Sequence, residues 1–249
     1  MPAASLLLLD QIDSTNAEAR RRAEAGEAGP LWIAARRQTG GRGRRGRAWE
    51  SDAGNLFATL LMTTRKPPAE AAQVTFVAAL AVADLLDAWA PPSLVTIKWP
   101  NDVMLAGEKA SGVLVESGAH PSGGLWLAVG IGVNLAHAPS GTERPATALA
   151  HHLRGDVSAP PSVEVAAARL AEAFAIWLER WEALGFEPVL DAWRARTPGL
   201  DGPAVARLGH ETVEGRAEGV AADGALRLRL ADGTLRLISA GDVFFEEAA

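Results

Sequence analysis

Apolar and polar positions divide the chain into alternating segments of strand and helix length. Residues 5–12 are apolar enough for a strand, and Asp13-Ser14-Thr15-Asn16-Ala17-Glu18 reads as a helix start in which Thr15 and Glu18 have capping-box spacing. That helix is predicted to reach Glu24 and stop at Gly26. Leu31–Ala35 and Asn55–Met62 are short apolar runs of strand type on either side of a polar, glycine-rich stretch. From Ala69 to Trp89 the apolar residues recur three and four apart, as at Val74, Val77 and Leu80, which predicts a long amphipathic helix ended by Pro91-Pro92.

Further on, Leu94–Trp99 reads as a strand that closes on a Pro100-Asn101-Asp102 turn. Val103–Leu105 pairs through Ala106-Gly107-Glu108 with Ser111–Glu116, and Leu125–Val133 is another strand. Ser162–Leu184 is a second long helix, and Glu187–Arg196 is a shorter one. Helix breakers concentrate in Thr197-Pro198-Gly199-Leu200-Asp201-Gly202-Pro203, which marks a domain boundary: 1–199 before it, 200–249 after it. Beyond it, Val213–Val220, Ala225–Leu230 and Thr234–Ile238 alternate as short strands with Asp-Gly turns, the pattern of a small SH3-like barrel of five strands.

Composition changes the picture in two respects. A chain of 249 residues, 48% apolar, with a net charge of −6 supports a sizeable folded core and argues against broad electrostatic binding of nucleic acid. Zero cysteines excludes disulfides, thiolate metal sites and thiol catalysis. The Leu6–Leu9 run is too short for a signal peptide or a membrane span, so a cytoplasmic protein without membrane attachment is expected. Arginine outnumbers lysine 21 to three, which draws attention to Lys66, Lys98 and Lys109.

Against that acidic balance stands Gly40-Gly41-Arg42-Gly43-Arg44-Arg45-Gly46-Arg47-Ala48-Trp49. Arginine pairs bidentately with carboxylate or phosphate, and glycine allows close backbone approach, so the stretch reads as an anion cradle. Gly41-x-Gly43-x-x-Gly46 matches the dinucleotide fingerprint only literally, since no helical period and no acidic residue in the required place follow it. An arginine-glycine nucleic-acid tail would be repeated and would not lie between buried strands. A solvated charge cluster would leave the glycines unexplained. Trp49 either covers the apolar part of a ligand or anchors the loop. The five histidines, at 120, 137, 151, 152 and 210, show no metal-ligand spacing and are expected at the surface.

Six blocks in order carry a resemblance. They are Ser14-Thr15-Asn16, Gln38 to Trp49, Asn55-Leu56, Lys98-Trp99-Pro100-Asn101-Asp102, Lys109-x-x-Gly112-x-Leu114-x-Glu116 and Gly130-Ile131-Gly132-Val133-Asn134-Leu135. In order and approximate spacing they resemble the biotin protein ligases over nearly the whole chain. The resemblance implies an α+β fold in which a mixed sheet with flanking helices, related to class II aminoacyl-tRNA synthetases, precedes the small SH3-like domain. It also implies ATP, with Mg²⁺, as the activating nucleotide and biotin as the acid activated to biotinyl-5′-AMP. The acceptor is a lysine of a biotin carboxyl carrier protein, an acetyl-CoA carboxylase subunit or its equivalent in a related carboxylase.

Residue by residue, the resemblance places Ser14, Thr15, Asn16, Gln38, Gly41, Arg42, Gly43, Arg44, Lys109 and Gly112 around biotin. It places Arg42, Arg44, Trp49, Asn101, Lys109 and Asn134 around ATP, and gives Arg44, Lys109, Lys98 and Asp102 catalytic roles. No metal ligand is assigned; Asp102 is the one candidate. Lipoate ligases and octanoyl transferases share the sheet but are not expected to carry this arginine-glycine run. Some relatives have a winged-helix DNA-binding domain before the catalytic domain; only 13 residues precede Ser14, so DNA binding is not expected. Relatives dimerise through the sheet, which leaves a homodimer open. The loop is expected to be mobile until ligand arrives, because its arginines repel one another.

Overall fold

The computed structural model describes residues 4–142 and 144–245. Its larger sheet has seven strands: β1 (Ser5–Ile12), β2 (Leu31–Gln38), β3 (Leu56–Thr64), β4 (Val95–Lys98), β5 (Asp102–Leu105), β6 (Glu108–Ala119) and β7 (Leu125–Val133). They lie in the order β1-β2-β3-β7-β6-β5-β4. β1 and β2 are parallel and every other pair is antiparallel, so the sheet is mixed as expected.

Alternation along the strands divides the side chains between two faces. On one face Trp32, Ala34, Ala58, Leu60 and Met62 pack under α3 (Val74–Asp87) and α4 (Val163–Leu184), where Trp32 meets Phe174 edge to face at 5.5 Å. On the other, Leu31, Ile33, Leu61 and Ala128 pack against Ala19 and Ala23 of α1 (Thr15–Glu24). This second face carries the site, because α1 covers only part of it.

Three expectations need correction. The cap of α1 is Ser14, whose hydroxyl accepts from Ala17 N–H; Glu18 pairs with Arg21 and Arg22, so Thr15 and Glu18 do not form a capping box. The long helix is broken into α2 (Pro68–Ala71) and α3. Rather than amphipathic, α3 is apolar almost all round, because sheet, α4 and α5 (Glu187–Arg194) together surround it. By length and composition Pro68–Asp87 could cross a membrane, yet the protein itself buries most of it. His120 is buried, not exposed, and its Nδ1 accepts from Ser122 N–H at 3.2 Å.

β8 (Pro203–Arg207), β9 (Thr212–Val220), β10 (Leu226–Arg229), β11 (Leu235–Ile238) and β12 (Asp242–Phe245) form a five-stranded antiparallel sheet in the order β11-β10-β9-β8-β12. This small sheet is fastened to the larger unit by directed contacts. Trp99 Nε1 donates to Gly224 O at 3.0 Å, and Arg194 donates to Val220 O at 3.0 Å. The consequence is that β12 faces the arginine-glycine loop.

Candidate active site

A cavity of about 280 Å³ opens on the α1 face of the large sheet. Its floor is glycine-rich: Gly112 on β6 and Gly130 and Gly132 on β7 all line it. A Cβ at Gly132 would lie 2.5 Å from Trp49 Cε2, so the missing side chain is what lets the indole lie down on the sheet. Trp49 thus anchors the loop and lines the cavity at once, and its Nε1 is buried with no hydrogen-bond partner. A buried donor without a partner is costly unless a ligand accepts from it.

At the α1 end, Ser14, Thr15 and Asn16 are buried and line the cavity with Gln38. Gln38 Oε1 accepts from Thr15 N–H at 2.8 Å while its Nε2 donates to Ser51 Oγ at 3.0 Å, which fixes the orientation of the amide. Phe57 and Leu114 supply an apolar wall, while Val113 and Ile131 border the cavity with their backbone and send their side chains into the core on the opposite face.

The arginine-glycine loop folds on itself. Trp49 N–H donates to Gly41 O, Gly43 N–H donates to Arg47 O, and a short 3-10 turn spans Arg44–Gly46. At Gly41 a Cβ would come within 2.6 Å of Trp49 O, so this glycine serves the closure of the loop rather than a ligand. The four arginines divide. Arg44 is half buried, donating to Asn101 Oδ1 at 2.8 Å and Gly241 O at 3.4 Å, and Arg42 also lines the cavity. Arg45 and Arg47 pair with Asp242 of β12 at 3.2 and 2.7 Å.

That pairing answers the repulsion expected within the loop: Asp242 sits among the arginines as their counter-charge. Burial pushes the Asp242 carboxyl up, but the hydrogen bond from Arg47 and the charges of Arg47 and Arg45 outweigh it and leave it below the usual carboxylate range. Burial also lowers the Arg44 pKa, opposed by Asp242 and Asp102; an arginine remains charged regardless.

Opposite the loop, Lys109 Nζ lies 2.7 Å from Asp102 Oδ1 and 5.4 Å from the centre of the Trp49 ring. Asn101, besides holding Arg44, donates to Val113 O at 2.7 Å. Asn134 lines the cavity but spends its amide on Thr147 O at 3.0 Å, tying down the strap that runs beside Lys109.

Like Gly41, which was also expected at the ligand, Lys98 does not reach the cavity wall. Its ammonium lies 5.3 Å from the ring of Phe244, and burial, then the charge of Arg144, push its pKa down to about 8.

Asp242, Arg144, Phe57 and Ile131 also line the cavity and were missed from sequence. For Phe57 and Ile131 a signal existed, since Phe57 directly follows the Asn55-Leu56 block and Ile131 lies inside the Gly130 to Leu135 block.

Against this geometry stand the matches to known proteins. The model of the biotin/lipoate A/B protein ligase family matches residues 8–135, and that of the biotin protein ligase C-terminal domain matches residues 205–246. A biotin--[acetyl-CoA-carboxylase] ligase of Paracoccus denitrificans is 43% identical over 240 residues, covering 96% of this chain and 99% of the relative. The chain belongs to the biotin/lipoate A/B protein ligase family. Another such ligase, from Mycobacterium tuberculosis, is 32% identical over 94% of the chain and 86% of its own length. Among solved structures, the Aquifex aeolicus biotin protein ligase in complex with biotin and ATP superposes with a TM-score of 0.80 at 24% identity, covering 97% of this chain and 99% of the other, which shows the shared fold. The C-terminal-domain match falls on the small five-stranded sheet.

Proposed function

We infer that this cavity is where the chain acts as an ATP-dependent biotin protein ligase, with the residue roles that follow. The enzyme activates biotin to biotinyl-5′-AMP and then transfers biotin to a lysine of a biotin carboxyl carrier protein. The observation that carries the assignment is one cavity joining a polar end, an apolar wall and a cationic end, in a chain 43% identical to the Paracoccus ligase.

Ser14, Thr15 and Gln38 hold the ureido ring, Phe57 and Leu114 the apolar part, and the carboxylate extends toward Arg42, Arg44 and Lys109. In the first half-reaction the carboxylate oxygen attacks the α-phosphorus of ATP and pyrophosphate leaves. Two anions must meet, so fixed cations in a partly dry site are the largest catalytic contribution available. In the second, the acceptor amine attacks the acyl carbon and AMP leaves, so no nucleophile of the enzyme is consumed. Asp102 orients Lys109, and Asn101 orients Arg44.

Among the described residues no group of three or more His, Cys, Asp or Glu side chains forms a metal cage. Mg²⁺ usually arrives on the phosphates and takes only one or two carboxylates from protein. Asp102 is the carboxylate beside Lys109 that fits; when bound, the ion would neutralise phosphate charge.

The roles divide the chain into a catalytic domain, 1–199, and a C-terminal domain, 200–249, that lends Gly241 and Asp242 to the loop; residues 1–3 and 246–249 lie outside the described ones.

Pyrophosphate release measured with ATP, Mg²⁺ and either biotin or lipoate tests the function. Release with biotin and not lipoate is expected; release with lipoate alone would move the chain to the sister activity. The assay also reports Lys98, which loses its charge as pH rises through about 8. If that charge attracts the phosphates, kcat/KM for ATP falls above pH 8, by about tenfold per pH unit in the limit. Lys98→Arg, which keeps the charge, should flatten the profile up to pH 9.5; an unchanged profile would remove Lys98 from this role.

A further inference from the structure

Thr15 belongs to a chain of hydrogen bonds that leads away from the cavity. Thr59 on β3 is fully buried, and its hydroxyl lies 2.8 Å from Thr15 Oγ1 and 2.7 Å from Asn16 Oδ1. Asn16 Nδ2 donates to Glu116 Oε2 at 2.7 Å and to Leu114 O at 3.3 Å. Neither Thr59 nor Glu116 lines the cavity. Gly130 makes room for this, because any Cβ there would collide with Asn16 Oδ1.

A hydroxyl has one proton to give, which fixes the direction of the chain. The Glu116 carboxylate and the Leu114 carbonyl only accept, so they turn the Asn16 amide nitrogen toward themselves and Oδ1 toward Thr59. Oδ1 also only accepts, and therefore takes the Thr59 proton. Thr59 oxygen is then left to accept from Thr15, whose proton points away from the cavity. The reverse order would have Thr15 donate to Gln38 Oε1 at 3.1 Å. That oxygen already receives Thr15 N–H, and Asn16 Oδ1 would be left buried without a donor, the costlier arrangement.

We infer that Thr59 and Glu116 are positioning residues that set the polarity of the biotin pocket, presenting Thr15 to the ligand as an acceptor. Ser14 beside it has the opposite polarity: its oxygen accepts from Ala17 N–H, so its own proton is available to donate. An acceptor next to a donor fits the adjacent N–H and C=O of a cyclic urea. A dithiolane ring, which has no N–H, leaves Thr15 unsatisfied, so the same relay selects against lipoate. The inference rests on the biotin reading above and adds what enforces it.

Calorimetric biotin binding and steady-state pyrophosphate release, measured on the full chain and on Thr59→Val, Thr59→Ser and Glu116→Gln, test it. Thr59→Val keeps the shape and removes the relay, so Kd and KM for biotin should rise roughly 10- to 50-fold, with kcat and KM for ATP within about twofold. Thr59→Ser should restore affinity to within about threefold of wild type. Glu116 is exposed, so Glu116→Gln spares the core; it lets the Asn16 amide turn and should weaken biotin roughly fivefold. Wild-type affinity in Thr59→Val or in Glu116→Gln, or a serine variant as weak as the valine one, overturns the relay alone. A wild-type chain that binds no biotin overturns the underlying reading and the relay with it.

Discussion

Lys109→Ala is expected to lower biotin-dependent pyrophosphate release by roughly 30- to 1,000-fold, the equivalent of about 2–4 kcal/mol for one cation in a preorganised site. The ammonium stands between the Asp102 carboxylate and the Trp49 ring on the cavity wall. Removing it takes away the charge that meets the carboxylate of biotin and the phosphate together. It also leaves Asp102, whose side chain is only 14% exposed, facing two anionic substrates without its counter-charge. The loss should therefore fall on both kcat and biotin affinity. In Lys109→Ala/Asp102→Asn the uncompensated carboxylate is gone, so thermal stability should recover while the rate stays low. A double variant that regains the rate would show that Lys109 serves only to neutralise Asp102.

The second large effect concerns retention of the intermediate. Arg44 is held in place by Asn101 and by the Gly241 carbonyl, which brings it from the loop to the mouth of the cavity. Arg44→Ala should leave adenylate formation measurable but speed escape of biotinyl-5′-AMP by roughly 30- to 1,000-fold. The freed mixed anhydride acylates amines without selection. Incubation with ATP, biotin and serum albumin, followed by avidin blotting, should then label the albumin, whereas wild type and Lys109→Ala leave it blank. Equal, weak effects of the arginine and lysine variants would contradict the separate roles given to them.

Much of this site is legible in the chain because its parts are local. The Ser14 cap, the loop between β2 and β3 and the glycines at 112, 130 and 132 lie within strand ends or turns that the apolar pattern defines. Their chemistry follows from residue type, with the family resemblance supplying the ligand. What the pattern hides are contacts between distant segments. Asp242 reaches Arg45 and Arg47 across nearly two hundred residues, and only the docking of the small sheet through Trp99 and Arg194 brings it there. Thr59 lies in an apolar strand and looks like a β-branched core residue; its role depends on Thr15 and Asn16 of α1 and on Glu116 of β6, two segments distant in sequence. His120 and the surrounding of α3 fail for a related reason, since burial is decided by neighbours that are remote in sequence.

The central claim is that biotin and ATP meet in the one cavity between the arginine-glycine loop and Lys109. A crystal structure of the chain grown with biotin and ATP tests it most directly. The account predicts biotinyl-5′-AMP in that cavity, its ureido ring against Ser14 and Thr15 and its acyl phosphate between Arg42, Arg44 and Lys109. An adenylate bound elsewhere, or bound here with its ring and phosphate ends exchanged, would contradict it.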